Sequence, residues 1–151
     1  MSMALTPIAE NLFTWPADQP ELIGGRRRGT GEIVFPFSGA PGDERIHLKR
    51  EGFLWSWTVQ RFPPKRPPYR GPVALESFTP FAVGYVELPQ QVRVESRLVD
   101  CEPQELRIGM PMELAIVPLG SPALGSEPGG SDVMIFAFRP LRRPSRDARP
   151  P

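Results

Sequence analysis

At 151 residues, 40% of them hydrophobic, the chain is long enough for one domain with one sizeable core. Its 21 prolines exclude an all-helical fold, because a Pro in a helix interior costs about 3 kcal/mol. A formal net charge of +1, of which Arg139 to Pro151 supplies +4, leaves −3 for the rest and counts against a surface built to coat phosphates or anionic lipid.

Residues 1–21 are weakly patterned. Leu5, Ile8, Leu12 and Phe13 fall at helical spacing, which predicts a short helix or, equally, an extended arm. Phe13 and Trp15 read as packing residues, the usual use of large aromatics. The start lacks a basic segment followed by a long apolar run, so no signal peptide is read. No apolar stretch approaches the ~20 residues of a membrane span. With a single cysteine, Cys101, an internal disulfide and a cysteine-built zinc site are both excluded. A cytoplasmic location, away from membranes, is the expectation.

Residues 22–44 are rich in Gly and Arg and too poor in apolar residues to make a core. Ile33, Val34 and Phe35 are expected to hold this piece to the rest. Its run GGRRRGTG resembles an anion cradle, since glycines free backbone amides and arginines grip phosphate. It lacks the Lys-Ser/Thr ending of a nucleotide loop and follows no buried strand, so a solvated loop is preferred.

Residues 45–140 carry the regular patterns. Ile46 and Leu48 alternate with polar neighbours. GFLWSWTVQ places Phe53, Trp55, Trp57 and Val59 on one face of a strand, and Leu54, Ser56, Thr58 and Gln60 on the other. RFPPKRPPYRGP is a stiff, extended loop. Phe78 to Asp100 reads as a β-hairpin. Its first strand, FAVGYVEL, is apolar on both faces, as in the middle of a barrel, with Pro80 before it and a bend at Gly84. Its turn falls at Leu88 to Gln91, because Pro89 cannot donate to a ladder. Its second strand alternates Val92, Val94 and Leu98 with Arg93, Glu95 and Arg97. MPMELAIVPL and VMIFAFRP are further strands, separated by the flexible loop LGSPALGSEPGGSD. Residues 141–151 read as a disordered tail. The fold expected is all-β: a small OB-type Greek-key barrel, which closure frees of sheet edges, with a sandwich as the alternative.

Four segments resemble a known family. They are Leu22-Ile23-Gly24-Gly25 with Gly31-Glu32-Ile33-Val34-Phe35-Pro36; Gly52 to Val59; Pro80 to Leu88; and Arg107 to Leu114 with Phe138-Arg139-Pro140 closing. Together they resemble the acyl-CoA-associated OB-fold family, the domain of unknown function thirty-five. The resemblance spans roughly residues 20–140. It implies a rubredoxin-like zinc ribbon ahead of an OB barrel. It also implies work in lipid metabolism beside a thiolase or retro-aldolase, as part of a hetero-oligomer. That thiolase-like subunit supplies the catalysis, and the OB protein helps hold or pass the acyl-CoA ester. The family's ribbon carries two Cys pairs around its Gly-x-Ile-Val-Phe-Pro segment. Here Arg27, Thr30, Ala40 and Asp43 stand at those places, so the resemblance implies a degenerate, metal-free ribbon.

No catalytic constellation is legible, in keeping with the non-catalytic accessory subunit, without cofactor, that the resemblance implies. Cys101 reads as a small residue at a strand end and His47 as a surface histidine. In the long loop, Arg61, Lys65, Arg66 and Arg70 lie beside Tyr69; cations suit the phosphates of CoA and an aromatic face suits adenine. A charged loop kept for solubility accounts for them as well. Ile33, Phe35, Pro36 and Phe37 exceed what a small barrel needs and are expected to dock the partner. The alternative function is an OB-fold binder of single-stranded nucleic acid, against which the charge balance leans.

Overall fold

A hairpin turn sets the barrel's first register. Leu88 and Gln91 bracket it, the Gln91 N–H donating to the Leu88 carbonyl at 2.9 Å. Pro89 supplies the fixed φ of the first central position, and Gln90 takes the second at φ +66°, the left-handed conformation a type II turn requires. The computed structural model describes residues 6–61, 80–119 and 133–142. Their strands are β1 (Thr6–Pro7), β2 (Ile23–Arg26), β3 (Ile33–Val34), β4 (Glu44–His47), β5 (Glu51–Gln60), β6 (Phe81–Glu87), β7 (Arg93–Leu98), β8 (Pro111–Pro118) and β9 (Val133–Pro140).

Strands β5, β6 and β7 form an antiparallel meander. β7 meets β9 in parallel at Leu98 and Phe138, β9 runs antiparallel to β8, and β8 returns to β5 through the pairs Glu51–Glu113 and Phe53–Pro111. The ring β5-β6-β7-β9-β8 is therefore closed. Two antiparallel neighbours of the first strand, and one parallel contact between the third and the last, make this the OB barrel expected from the strand count. Its interior is filled by Leu54, Val86, Leu88, Val94, Met112, Leu114 and Phe138, all essentially inaccessible to water.

Two expectations about faces are corrected. Strand β5 carries a bulge: Leu54 pairs with Val86 but Ser56 pairs with Tyr85, which leaves Trp55 as the extra residue. A one-residue slip exchanges the two faces of a strand. Leu54 thus points into the core, Trp57 packs against it beyond the bulge, and Phe53 and Trp55 stand exposed. The aromatic stripe read as one face is split between inside and outside. Strand β6 is apolar on both sides in sequence, yet only Ala82, Gly84, Val86 and the following Leu88 are buried. A barrel wall is one layer thick, so the other side, with Val83 and Tyr85, faces outward.

The N-terminal residues are an arm rather than a helix. β1 lies parallel to β9, with Thr6 opposite Val133, and the Ile8 N–H donates to the Met134 carbonyl at 2.8 Å. Phe13 bridges to Leu22, and both side chains are buried. Pro7 and Pro16 leave too few residues between them for a stable helix, and the edge of β9 offers backbone partners instead. Next, β3, β2 and β4 form a second, three-stranded antiparallel sheet in that order. β4 completes this sheet, and the barrel strands begin at Glu51.

Gly84 marks a close approach of β6 to β5. A Cβ there would collide with the Ser56 carbonyl oxygen and lie 3.1 Å from both the Trp57 Cβ and Leu98 Cδ1. Gly84→Ala is expected to destabilise the protein by about 1–3 kcal/mol, as overpacking does, seen as a lower urea midpoint.

Candidate functional site

In the small sheet, the metal positions implied by the family become two facing turns. The Arg27 N–H donates to the Glu32 carbonyl at 2.8 Å, and the Thr30 hydroxyl accepts the Glu32 N–H at 3.2 Å. In the second turn the Asp43 N–H donates to the Ala40 carbonyl at 3.0 Å. The turns touch each other: the Arg28 N–H reaches the Asp43 carboxylate at 3.4 Å, and the Arg28 Cδ lies 2.8 Å from where a Gly42 Cβ would sit. A guanidinium, a hydroxyl, a methyl and one carboxylate do not make a tetrahedral zinc site. Nor do the described residues contain any group of three or more His, Cys, Asp or Glu placed to hold a metal ion. The residues present do not fit zinc. Hydrogen bonds and the Arg28 stem join the turns instead.

The four residues expected to dock a partner are mostly occupied within the chain. Ile33 and Phe35 pack against the barrel core, and the Phe35 ring meets Phe136 edge-on at 5.5 Å. Phe37 covers Gly25, where an added Cβ would sit 2.9 Å from its Cδ1. Only Pro36 is exposed. The segment's first job is to join the small sheet to the barrel, which is why it is so apolar. Phe35→Asp is accordingly expected to cost the isolated protein about 2–3 kcal/mol, from lost burial and the lost ring contact, seen as a lower melting temperature.

Of the residues expected to bind CoA, Arg61 is exposed just beyond β5. Lys65, Arg66, Tyr69 and Arg70 lie outside the described residues.

Cys101 and His47 have separate surroundings. His47, exposed on β4, has its Nδ1 3.2 Å from a Glu21 carboxylate oxygen. Cys101 is half-buried beyond β7, next to a short 3-10 turn at Pro103–Glu105. In that turn Glu105 accepts the Glu102 N–H and an Arg142 guanidinium N–H, each at 2.9 Å, and the two hold its carboxyl below the usual range. Burial, then the charge of Glu105, pushes the Cys101 thiol up to about 11, because both disfavour a thiolate. A thiol so protonated at neutral pH is a poor nucleophile. Alkylation of Cys101 by iodoacetamide should be slow at pH 8 and accelerate up to about pH 11, above the range of an ordinary free cysteine.

Sequence reasoning missed one surface. Phe53 is 47% exposed, Trp55 46% and Tyr85 39%, side by side on the outer wall of β5 and β6. The Trp55 and Tyr85 rings meet edge-on at 6.0 Å, and the Arg93 guanidinium lies 4.0 Å over the Trp55 ring. Arg93 also pairs with Glu87 at 3.1 Å, and the Tyr85 hydroxyl donates to Glu95 at 3.3 Å. Beside Phe53 opens a groove of about 520 Å³, its apolar walls Pro89, Pro111 and Leu141, with Lys49 and Glu51 at its rim. The Lys49 ammonium donates to the Pro89 carbonyl at 2.8 Å. Strict alternation puts Phe53, Trp55 and Trp57 on one face; the bulge sends Trp57 to the other side and leaves Phe53 and Trp55 outside.

A closed OB barrel with a small three-stranded sheet docked on it defines the class. Residues 46–117 match the family model described as ChsH2, C-terminal OB-fold domain. Two curated relatives are each described as a DUF35 domain-containing scaffold protein. The one from Pyrococcus furiosus is 28% identical over 99 residues, 62% of this chain and 66% of the relative. The one from Methanocaldococcus jannaschii is 27% identical over 99 residues, 61% of this chain and 64% of the relative. Just under two thirds of each relative's length is therefore spanned. A solved structure described as Ltp2-ChsH2(DUF35) aldolase superposes with a TM-score of 0.53 at 21% identity, covering 80% of this chain and 84% of that one, a likeness of fold. Residues 46–117 are thus similar to that OB-fold domain, and about three fifths of the chain is similar to the DUF35 scaffold proteins. Among the described residues no helix is long and apolar enough to cross a membrane.

Proposed function

We propose that this chain is a non-catalytic accessory subunit that assembles with a thiolase-like enzyme in the cytoplasm. The observation that carries this is its similarity to two curated relatives described as scaffold proteins. The description of the structural neighbour as an Ltp2-ChsH2 aldolase favours a thiolase or an aldolase as the partner. The chemistry of the chain agrees. Its only cysteine is held as a thiol, and its only histidine is engaged with Glu21. Catalysis then belongs to the partner, and this chain helps hold or pass the acyl-CoA ester. The 61–70 loop, with Arg61, Lys65, Arg66, Tyr69 and Arg70, lies near the CoA entrance in this proposal, its cations facing the phosphates.

The proposal expects a thiolase-like reading frame beside this gene, and co-expression with its product, followed by size-exclusion chromatography, tests it. A co-eluting complex that turns over an acyl-CoA ester, while this chain alone does not, is the expected result. Cys101→Ser should leave that activity largely intact. Thiolase or thioesterase turnover by the isolated chain would overturn the assignment.

A further inference from the structure

Granted the accessory-subunit reading, on which this rests, we propose that the outer wall of β5 and β6 around Trp55, with the groove beside it, is where the partner enzyme docks. Among the described residues the exposed large hydrophobics are Ile8, Phe53, Trp55, Tyr85 and Ile108. Phe53, Trp55 and Tyr85 collect here. Phe53 and Trp55 flank Leu54 on β5, and Tyr85 lies across from them on β6. Ile108, 66% exposed, rides on the turn that closes onto the same stretch of β5. There the Gly109 N–H donates to the Leu54 carbonyl at 2.7 Å, and the Leu54 N–H donates to the Met110 carbonyl at 2.9 Å. Exposed apolar residues gathered around a Trp, a Tyr and an Arg have the make-up of an interface hot spot. Phe53 lines both the aromatic wall and the groove, so the two form one continuous surface.

Charge and shape choose the occupant. The Arg93 cation is satisfied by Glu87 and by the Trp55 ring, and Glu95 accepts from Tyr85. The wall therefore has little charge to offer a polyanion or a lipid headgroup; an uncharged protein surface complements it. The groove is concave and calls for a protruding apolar side chain. In a two-fold dimer the same patch would face itself, groove against groove. Three half-exposed aromatics also contribute only about 300 Å², against ~800 Å² per partner in a standard interface. A larger, different protein that extends past the patch meets both conditions.

The test uses the full chain co-expressed with the same thiolase-like protein, comparing wild type with Trp55→Glu and with Ile108→Glu. Binding is measured by titration calorimetry, mass in solution by light scattering, and folding of each variant alone by far-UV circular dichroism. Both variants should bind at least thirtyfold more weakly, as loss of a hot-spot residue does. Ile108→Glu, on an exposed turn, should keep the wild-type spectrum and melting temperature. If Trp55→Glu fails to fold, Ile108→Glu decides alone. Wild type that binds, with folded variants binding within about threefold of it, would overturn the docking surface and leave the accessory reading standing. Wild type that forms no complex would overturn the accessory reading itself, and the docking surface with it. Variants that abolish self-association of wild type but keep the enzyme complex would assign the wall to a second copy and overturn this proposal.

Discussion

Strand β5 has to serve two neighbours at once, and the molecule is arranged around that demand. Its residues Phe53 to Gln60 pair with β6, while Glu51 to Phe53 pair with β8. A flat strand cannot join two walls of a small barrel; it must coil sharply. The bulge at Trp55 provides the coil by adding one residue where β6 has none. Gly52 and Gly84 provide the room, since a side chain at either would run into backbone of the adjoining strand. Closure of the ring then lets Leu54, Met112, Leu114 and Phe138 meet in one core, although they come from three different strands. The same bulge decides what the outside looks like. By reversing the inward and outward sides, it packs Trp57 against the core and leaves Trp55 at the surface.

The small sheet is held to the barrel by packing. Leu22, Leu48, Ile33 and Phe35 all contribute to the core cluster, so the sheet rests on barrel side chains rather than standing apart. A zinc ribbon can draw its order from metal–thiolate bonds. Here the corresponding turns are joined by the Arg28–Asp43 contact, with the Arg26–Glu44 pair at 3.1 Å across neighbouring strands. These are exposed interactions, and exposed ion pairs contribute about 0–1 kcal/mol each. Burial of Phe35 and Leu22 stabilises the sheet more than these pairs do. A segment that looks like spare apolar surface in sequence is thus needed at home.

The outer wall shows the opposite economy. Its ion pairs and ring contacts add little stability, being exposed to water. What they do is hold Trp55, Tyr85 and Arg93 in one arrangement before anything binds, which lessens the ordering cost of association. The groove beside them is bounded by prolines at the hairpin turn and at the start of β8, two rigid positions.

The sequence by itself determined whatever depends on residues close along the chain. Proline frequency ruled out helix, alternation in β7 marked a half-buried strand, Pro89 placed the turn, and a lone cysteine ruled out a thiolate zinc site. The strand count with two long loops was enough for an OB barrel. Tertiary structure decided what depends on a partner distant in sequence. Whether Ile8 to Phe13 formed a helix or an arm turned on a free edge of β9, more than a hundred residues away. Whether Phe35 was spare turned on Phe136. The faces of Phe53, Trp55 and Trp57 turned on a single unpaired residue, and a bulge has no composition of its own: it exists only as a mismatch between two strands.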